Sequence, residues 1–135
     1  LTSMITRNMS ALEVEHAVAI GSTIYTFDVS LSDADRDVYR TLSFRVARHP
    51  SETDEFLLTR VLAYCLEYTE GLAFSAGLSD TESPALAVRD LTGRMLAWIE
   101  VGLPDAARLH KAAKSAARVA VYPHRDAARL LEDLA

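Results

Sequence analysis

The sequence of 135 residues has a single cysteine, Cys65, and four scattered histidines. One thiol excludes an intramolecular disulfide, and no C-x-x-C or H-x-x-x-H spacing is present to hold zinc. Its five glycines build neither a phosphate loop nor a dinucleotide fingerprint. No apolar run approaches about 18 residues, so no membrane-spanning helix is expected. The N-terminus lacks the basic-then-apolar layout of a signal peptide, and the expectation is a cytoplasmic protein. Positive charge is scarce as well: Lys and Arg number 14 against 19 Asp and Glu, a net charge of −5. A nucleic-acid binder needs a basic field, because phosphate neutralisation supplies most of its affinity. Residues 1–105 hold 8 basic and 16 acidic side chains, whereas residues 106–135 hold 6 and 3. The one candidate basic surface is therefore Arg108, Lys111, Lys114, Arg118, Arg125 and Arg129, and a solvated helix face explains it as simply. Tight nonspecific DNA binding is not expected of the whole chain.

What is present is a domain's worth of core. Half of the residues are apolar and 24% are charged, a globular balance for a chain of this length. The stretch over 11–20 is ambiguous between a short helix and a strand. From Tyr25 to Leu31 apolar and polar residues alternate, and Leu42, Phe44 and Val46 repeat the pattern beyond the polar connection 32–37, predicting two antiparallel strands. Ser51 is expected to cap a helix carrying Leu58, Val61, Leu62, Cys65 and Tyr68 at helical spacing, ended by Gly71. A short strand over 72–76 follows. Leu86 and Val88 lead into Asp90-Leu91-Thr92-Gly93, a type I hairpin turn, with Met95–Val101 as the return strand. A helix opened by Pro104-Asp105, a strand over 119–122 and a helix over 126–134 complete the order ββ-αβββαβ-α. This order predicts a mixed α/β domain with helices on the faces of its sheet. Cys65 and Trp98 read as core, Trp98 under a helix. Tyr25, Phe27 and Phe44 read as core rather than a base-stacking platform, and Ser51 beside His49 reads as a cap rather than a nucleophile.

Met95-Leu96-Ala97-Trp98-Ile99-Glu100-Val101 carries the most information. Its apolar run predicts a strand covered on both faces, and yet it contains Glu100. A buried carboxylate must be paired, protonated, metal-bound or placed at the open rim of the sheet. With the hairpin centred between Leu91 and Thr92, paired numbers sum to about 183. That register sets Glu100 opposite Ser83 and beside Glu82. Asp90 falls seven residues away along the strand, roughly 20 Å, and reads as a turn residue. Glu82 and Glu100 are expected to hold a divalent cation jointly, and their oxygen donors suit Mg²⁺ or Mn²⁺. Glu52 or Glu55 offers a third carboxylate, with charge complementation of a helix start as its alternative role. Lys111 or Lys114 on the next helix offers a cation for phosphate, with solvation as its alternative.

Three segments carry a resemblance. They are Ala47-Arg48-His49-Pro50-Ser51-Glu52-Thr53, then Asp90-Leu91-Thr92-Gly93, and Trp98-Ile99-Glu100-Val101-Gly102-Leu103-Pro104-Asp105 with Arg108 and Lys111-Ala112. Over residues 19 to 121 they closely resemble the YaeQ family of small bacterial proteins. That family resembles the PD-(D/E)XK nuclease fold, built on an αβββαβ core, here preceded by a β-hairpin. The resemblance implies residues 1–18 as an N-terminal extension and 19–135 as one nuclease-like domain. It maps the helix acid to Glu52 or Glu55, the second-strand acid to the segment before Pro84, and the third-strand acid to Glu100. The lysine usual two residues after that acid is Gly102 here, with Lys111 or Lys114 as its substitute. The pattern Asp-Glu-Pro reads Glu82-Ser83-Pro84. Relatives are expected to continue past the last helix with a further strand and helix.

Two functions follow as expectations. The first is a Mg²⁺-dependent phosphodiesterase acting on nucleic acid. In it Glu82 and Glu100 hold the metal, Glu52 or Glu55 orients it or a water, and Lys111 or Lys114 stabilises charge on phosphate. The second is a nuclease-fold module without catalysis, acting through interaction or regulation. Carboxylates gathered around one cation favour the first, and a site closed by side-chain salt bridges favours the second.

Overall fold

A computed structural model describes residues 3–7, 15–16, 23–75 and 82–134. The chain divides into two compact units, Leu1–Ser51 and Glu52–Ala135.

The first unit is built on the long hairpin of β3 (Thr23–Asp33) and β4 (Val38–Arg48), paired antiparallel from Thr23↔Arg48 to Asp33↔Val38. Strands β1 (Ser3–Arg7) and β2 (Glu15–His16) pair antiparallel with β3. Apart from that two-residue strand, the ambiguous stretch over 11–20 lies outside the described residues. The alternation is as expected: Phe27, Val29 and Leu31 are buried while Asp28 and Ser30 are exposed. Phe27 stacks across the pair on Phe44, with ring centroids 5.7 Å apart, the kind of cross-strand contact that stabilises a sheet. Both strands outrun their expected ends because the connection is itself clamped. Buried Asp33 accepts from the Arg36 guanidinium at 2.7 Å and from the Arg36 amide at 3.3 Å. That guanidinium holds the Asp33 carboxyl below the usual carboxylate range.

The second unit runs α1 (Asp54–Leu66), β5 (Leu72–Phe74), β6 (Leu86–Arg89), β7 (Met95–Val101), α2 (Ala106–Ser115), β8 (Arg118–Tyr122) and α3 (Ala127–Leu134). The sheet order is β5-β6-β7-β8, with β5, β6 and β7 antiparallel and β8 parallel to β7 after the α2 crossover. The expected αβββαβ order is present. Residue 76, expected to end the strand after α1, lies outside the described residues. No helix among the described residues is long and apolar enough to cross a membrane.

Two local expectations are corrected. The cap of α1 is Thr53, whose side chain accepts from the Phe56 amide at 3.2 Å, and not Ser51. Ser51 instead places its hydroxyl 2.7 Å from Nδ1 of His49. The same helix stops at Leu66 with Glu67 as its C-cap, ahead of Gly71. The β6–β7 register is also two residues off the expected one, because Ile99 pairs with Leu86 and not with Pro84. Its turn spans Asp90 to Arg94: the Gly93 amide donates to the Asp90 carbonyl, and the Asp90 amide to the Arg94 carbonyl, each at 3.0 Å. Gly93 sits at φ 86°, so an extra residue bulges beyond the type I turn and moves the strand ends.

The faces of β7 differ, and this positions the site. Ala97, Ile99 and Val101 pack with Leu86, Val88 and Ala63 of α1 into the buried core. Trp98 and Glu100 point to the opposite face by the strand's period of two, and there α2 meets them through Arg108.

Candidate functional site

The site begins where β7 ends. Gly102 donates its amide to the Tyr122 carbonyl of β8 at 3.0 Å and adopts φ 120°, a region that favours glycine. A Cβ there would lie 3.2 Å from Cε2 of Phe56. The chain leaves the strand at this point and starts α2 at an Asp105 cap, whose carboxylate accepts from the Arg108 amide at 2.8 Å. The cap fixes Arg108 in the first helical turn and Lys111 one turn later.

Arg108 reaches back over the sheet. Its Nε donates to Glu100 Oε2, and its Nη2 donates to Glu100 Oε1 at 3.2 Å and to the Ser83 carbonyl at 3.0 Å. The guanidinium carbon lies 5.7 Å from the centroid of the Trp98 ring, and Trp98 Nε1 donates to Glu100 Oε2 at 3.1 Å. Glu100, expected as a buried carboxylate, is thus held by one arginine and one indole. Lys111 pairs with Glu82, the neighbour of Ser83. Glu82, Glu100 and Lys111 therefore share one neighbourhood, joined by Arg108. The register explains how: Glu100 does not pair with Ser83 across the ladder, and the arginine spans the remaining gap.

The other candidates stand elsewhere. Glu52 is buried and bound by Arg60 through two contacts of 2.7 Å, Nε to Oε2 and Nη2 to Oε1. Arg60 also lies over Phe74 of β5, 5.8 Å from the ring centroid, and β5 is separated from β7 by β6. Glu55 is exposed in the first turn of α1, where a carboxylate complements the helix dipole. Lys114 is exposed in the last turn of α2. Among the described residues no group of three or more His, Cys, Asp or Glu is arranged to hold a metal ion. Asp90 is a turn residue as expected. Its Oδ1 accepts from the Thr92 amide, the Thr92 hydroxyl and the Arg94 amide at 2.9, 2.6 and 3.0 Å. The Thr92 hydroxyl in particular lowers its pKa below the usual carboxylate range.

The alternative role of Glu100, a strand-end acid that reaches solvent or an arginine, is met by Arg108, whereas Arg60 as the partner of Glu52 and a third pair were not foreseen. Glu67, the C-cap of α1, accepts from Arg118 and, at 2.6 Å, from the Tyr122 hydroxyl, which ties α1 to β8. The hydrogen bond with Glu67 raises the pKa of Arg118. A signal for Arg108 lay in the demand that buried Glu100 find a cation, with an arginine one turn into the next helix.

Comparison with known proteins follows the same residues. The family model described as YaeQ protein matches residues 18–135. The uncharacterized protein YaeQ of Escherichia coli K12 is 38% identical over 107 residues, covering 79% of this chain and 59% of that protein. The protein of that name from Salmonella typhi is 37% identical over the same length. The crystal structure of YaeQ from Pseudomonas syringae superposes with a TM-score of 0.80 at 42% identity, covering 84% of this chain and 63% of that one. The crystal structure from Xanthomonas axonopodis pv. citri gives 0.71 at 40% identity, over 74% and 56%. The chain thus spans less than two thirds of the length of these relatives.

Proposed function

The chain belongs to the YaeQ family, and we propose that its second unit is a PD-(D/E)XK-like core carrying a divalent-cation-assisted site for phosphodiesters, with nucleic acid as the partner class. One observation carries this reading: two carboxylates and two cations from three separate segments, β7, the stretch before β6 and α2, converge at the end of β7, as Glu100, Glu82, Arg108 and Lys111. The αβββαβ order around them supports the choice of core.

The donor set fits a hard cation. Glu82, Glu100 and the Ser83 carbonyl offer oxygen only, and Mg²⁺ usually takes one or two carboxylates and keeps several waters. When bound, Mg²⁺ or Mn²⁺ would neutralise charge on a phosphate oxygen and polarise it. The protein's own groups do the rest. Trp98 fixes the Glu100 carboxylate through its indole N–H, and the Asp105 cap fixes the helix that carries both cations. Lys111, 45% exposed against 80% for Glu82, sits in a solvent-exposed pair and can turn to a phosphate, taking the place of the lysine replaced by Gly102. Lys114 stands a turn further along. Glu55 keeps its role at the helix start, and Glu52 acts through Arg60 to hold α1 in place. The lone buried Cys65 fits a reducing, cytoplasmic setting.

Calorimetric titration of Mg²⁺ and Mn²⁺ tests the reading. Wild type is expected to bind weakly, and Glu100→Gln, checked by its thermal melt, is expected not to bind. Absence of binding in both proteins overturns the metal-dependent site. A second reading then takes its place: an interaction or regulatory module without catalysis. It is favoured by the finding that each candidate acid on the core except Glu55 is matched to a cation, as Glu52–Arg60, Glu82–Lys111 and Glu100–Arg108.

A further inference from the structure

The contacts of Arg108 have the character of a metal's own ligand sphere. Three oxygens surround one positive group: both oxygens of Glu100 and the Ser83 carbonyl. These are the donors that the proposed cation would use, and Arg108 already takes both Glu100 oxygens and the Ser83 carbonyl, so a cation seated on them would lie against the guanidinium and be repelled by it. We propose that Arg108 is a built-in occupant of the cation seat, a latch that must leave Glu100 before a divalent ion can bind there. This inference rests on the metal-assisted reading above and adds its regulation.

The setting suits a latch. The Arg108 side chain is 28% exposed, whereas that of Glu100 is only 6% exposed. The arginine therefore has a solvent side through which to withdraw, and the carboxylate stays where it is. Trp98 stays too, still donating to Glu100 Oε2. The backbone beneath Arg108 is pinned by Asp105, so only side-chain torsions change. Once withdrawn, the planar guanidinium stands beside the seat with its paired donors unused. That geometry matches two oxygens of a phosphate. The arginine thus blocks the site when nothing is bound and faces the phosphate when metal and phosphodiester arrive together.

Competition of this kind lowers apparent metal affinity by the fraction of molecules whose seat is open. The test is Mn²⁺ titration by calorimetry on the full chain, comparing wild type with Arg108→Ala, Arg108→Gln, Arg108→Ala/Glu100→Gln and Arg125→Ala. Thermal melts establish that each is folded. Removing the latch is expected to tighten Mn²⁺ binding by about tenfold or more, and adding Glu100→Gln is expected to abolish the gain. Arg125→Ala removes the same charge elsewhere and is expected to leave affinity unchanged. If wild type binds Mn²⁺ and the Arg108 variants bind no tighter, or if Arg125→Ala tightens binding equally, the latch is wrong while the metal site stands. If no variant binds, both fail. Should Arg108→Ala not fold, Arg108→Gln keeps the shape and a donor without the charge, and its affinity decides.

Discussion

At the scale of single residues, the Glu52–Arg60 pair shows how a charge can sit in a core. The two side chains are 1% and 4% exposed, and each satisfies the other through two hydrogen bonds. Removing one partner strands the other as an unpaired buried ion. Arg60→Ala is therefore expected to destabilise the protein by about 3–5 kcal/mol, while replacing both by apolar residues of similar volume costs far less. Urea unfolding of the single and double variants measures this directly. A loss below about 1 kcal/mol in Arg60→Ala would mean that the pair behaves as a surface salt bridge. The acids of such pairs are easier to see in the sequence than their cations. Glu100 stands out because a carboxylate interrupts the apolar run of β7. Arg108 does not, because its place over Trp98 depends on where α2 begins, and that depends on the Asp105 cap. In the sequence, Arg108 and Lys111 look like one end of a basic helix face.

At the scale of elements, the period-two and helical patterns were enough to order α1 to β8, because each element buries one face and the core demands it. Boundaries and register depended on turn geometry that composition leaves open. Thr53 and Ser51 are both good caps, and only the hydrogen bond to Phe56 distinguishes them. The Gly93 turn and a second irregularity between Val88 and Arg89 each moved the β6–β7 pairing by one residue, two in all, without altering which face of β7 carries Glu100. An even shift preserves the face, so the expectation about Glu100 survived an incorrect register. Gly102 holds the position where the nuclease-like resemblance expects a lysine. At φ 120° with Cε2 of Phe56 3.2 Å from a Cβ, this corner at the end of β7 strains any side chain. Installing that lysine as Gly102→Lys is expected to cost about 1–3 kcal/mol in backbone strain and to lower the melting temperature without improving metal binding. A melt unchanged from wild type would show that the corner tolerates a side chain after all.

At the scale of the molecule, charge decides what can approach the site. The basic excess of residues 106–135 is the one candidate nucleic-acid surface in the sequence, beside its reading as a solvated helix face, and pairing reduces it further. Arg108, Lys111 and Arg118 are half of the six cations in that stretch, and Glu100, Glu82 and Glu67 neutralise them. The rest of the chain is acidic. The field available to a duplex is therefore weak while the pairs stay closed. Each phosphate neutralised contributes a slope of about −0.9 to the dependence of log affinity on log salt. The three cations of residues 106–135 outside those pairs, acting as the only phosphate contacts, give a slope of about −3. Fluorescence anisotropy with labelled duplex DNA, between low and physiological salt and without divalent ions, is expected to give weak binding with that shallow slope. On the proposed site, adding Mn²⁺ is expected to raise affinity and steepen the slope by about one phosphate contact, because a bound cation and a released Arg108 would both face the ligand. A steep slope in the absence of Mn²⁺ would mean that the acid–cation pairs give way to phosphate unaided, and the cation would then have no part in exposing the site.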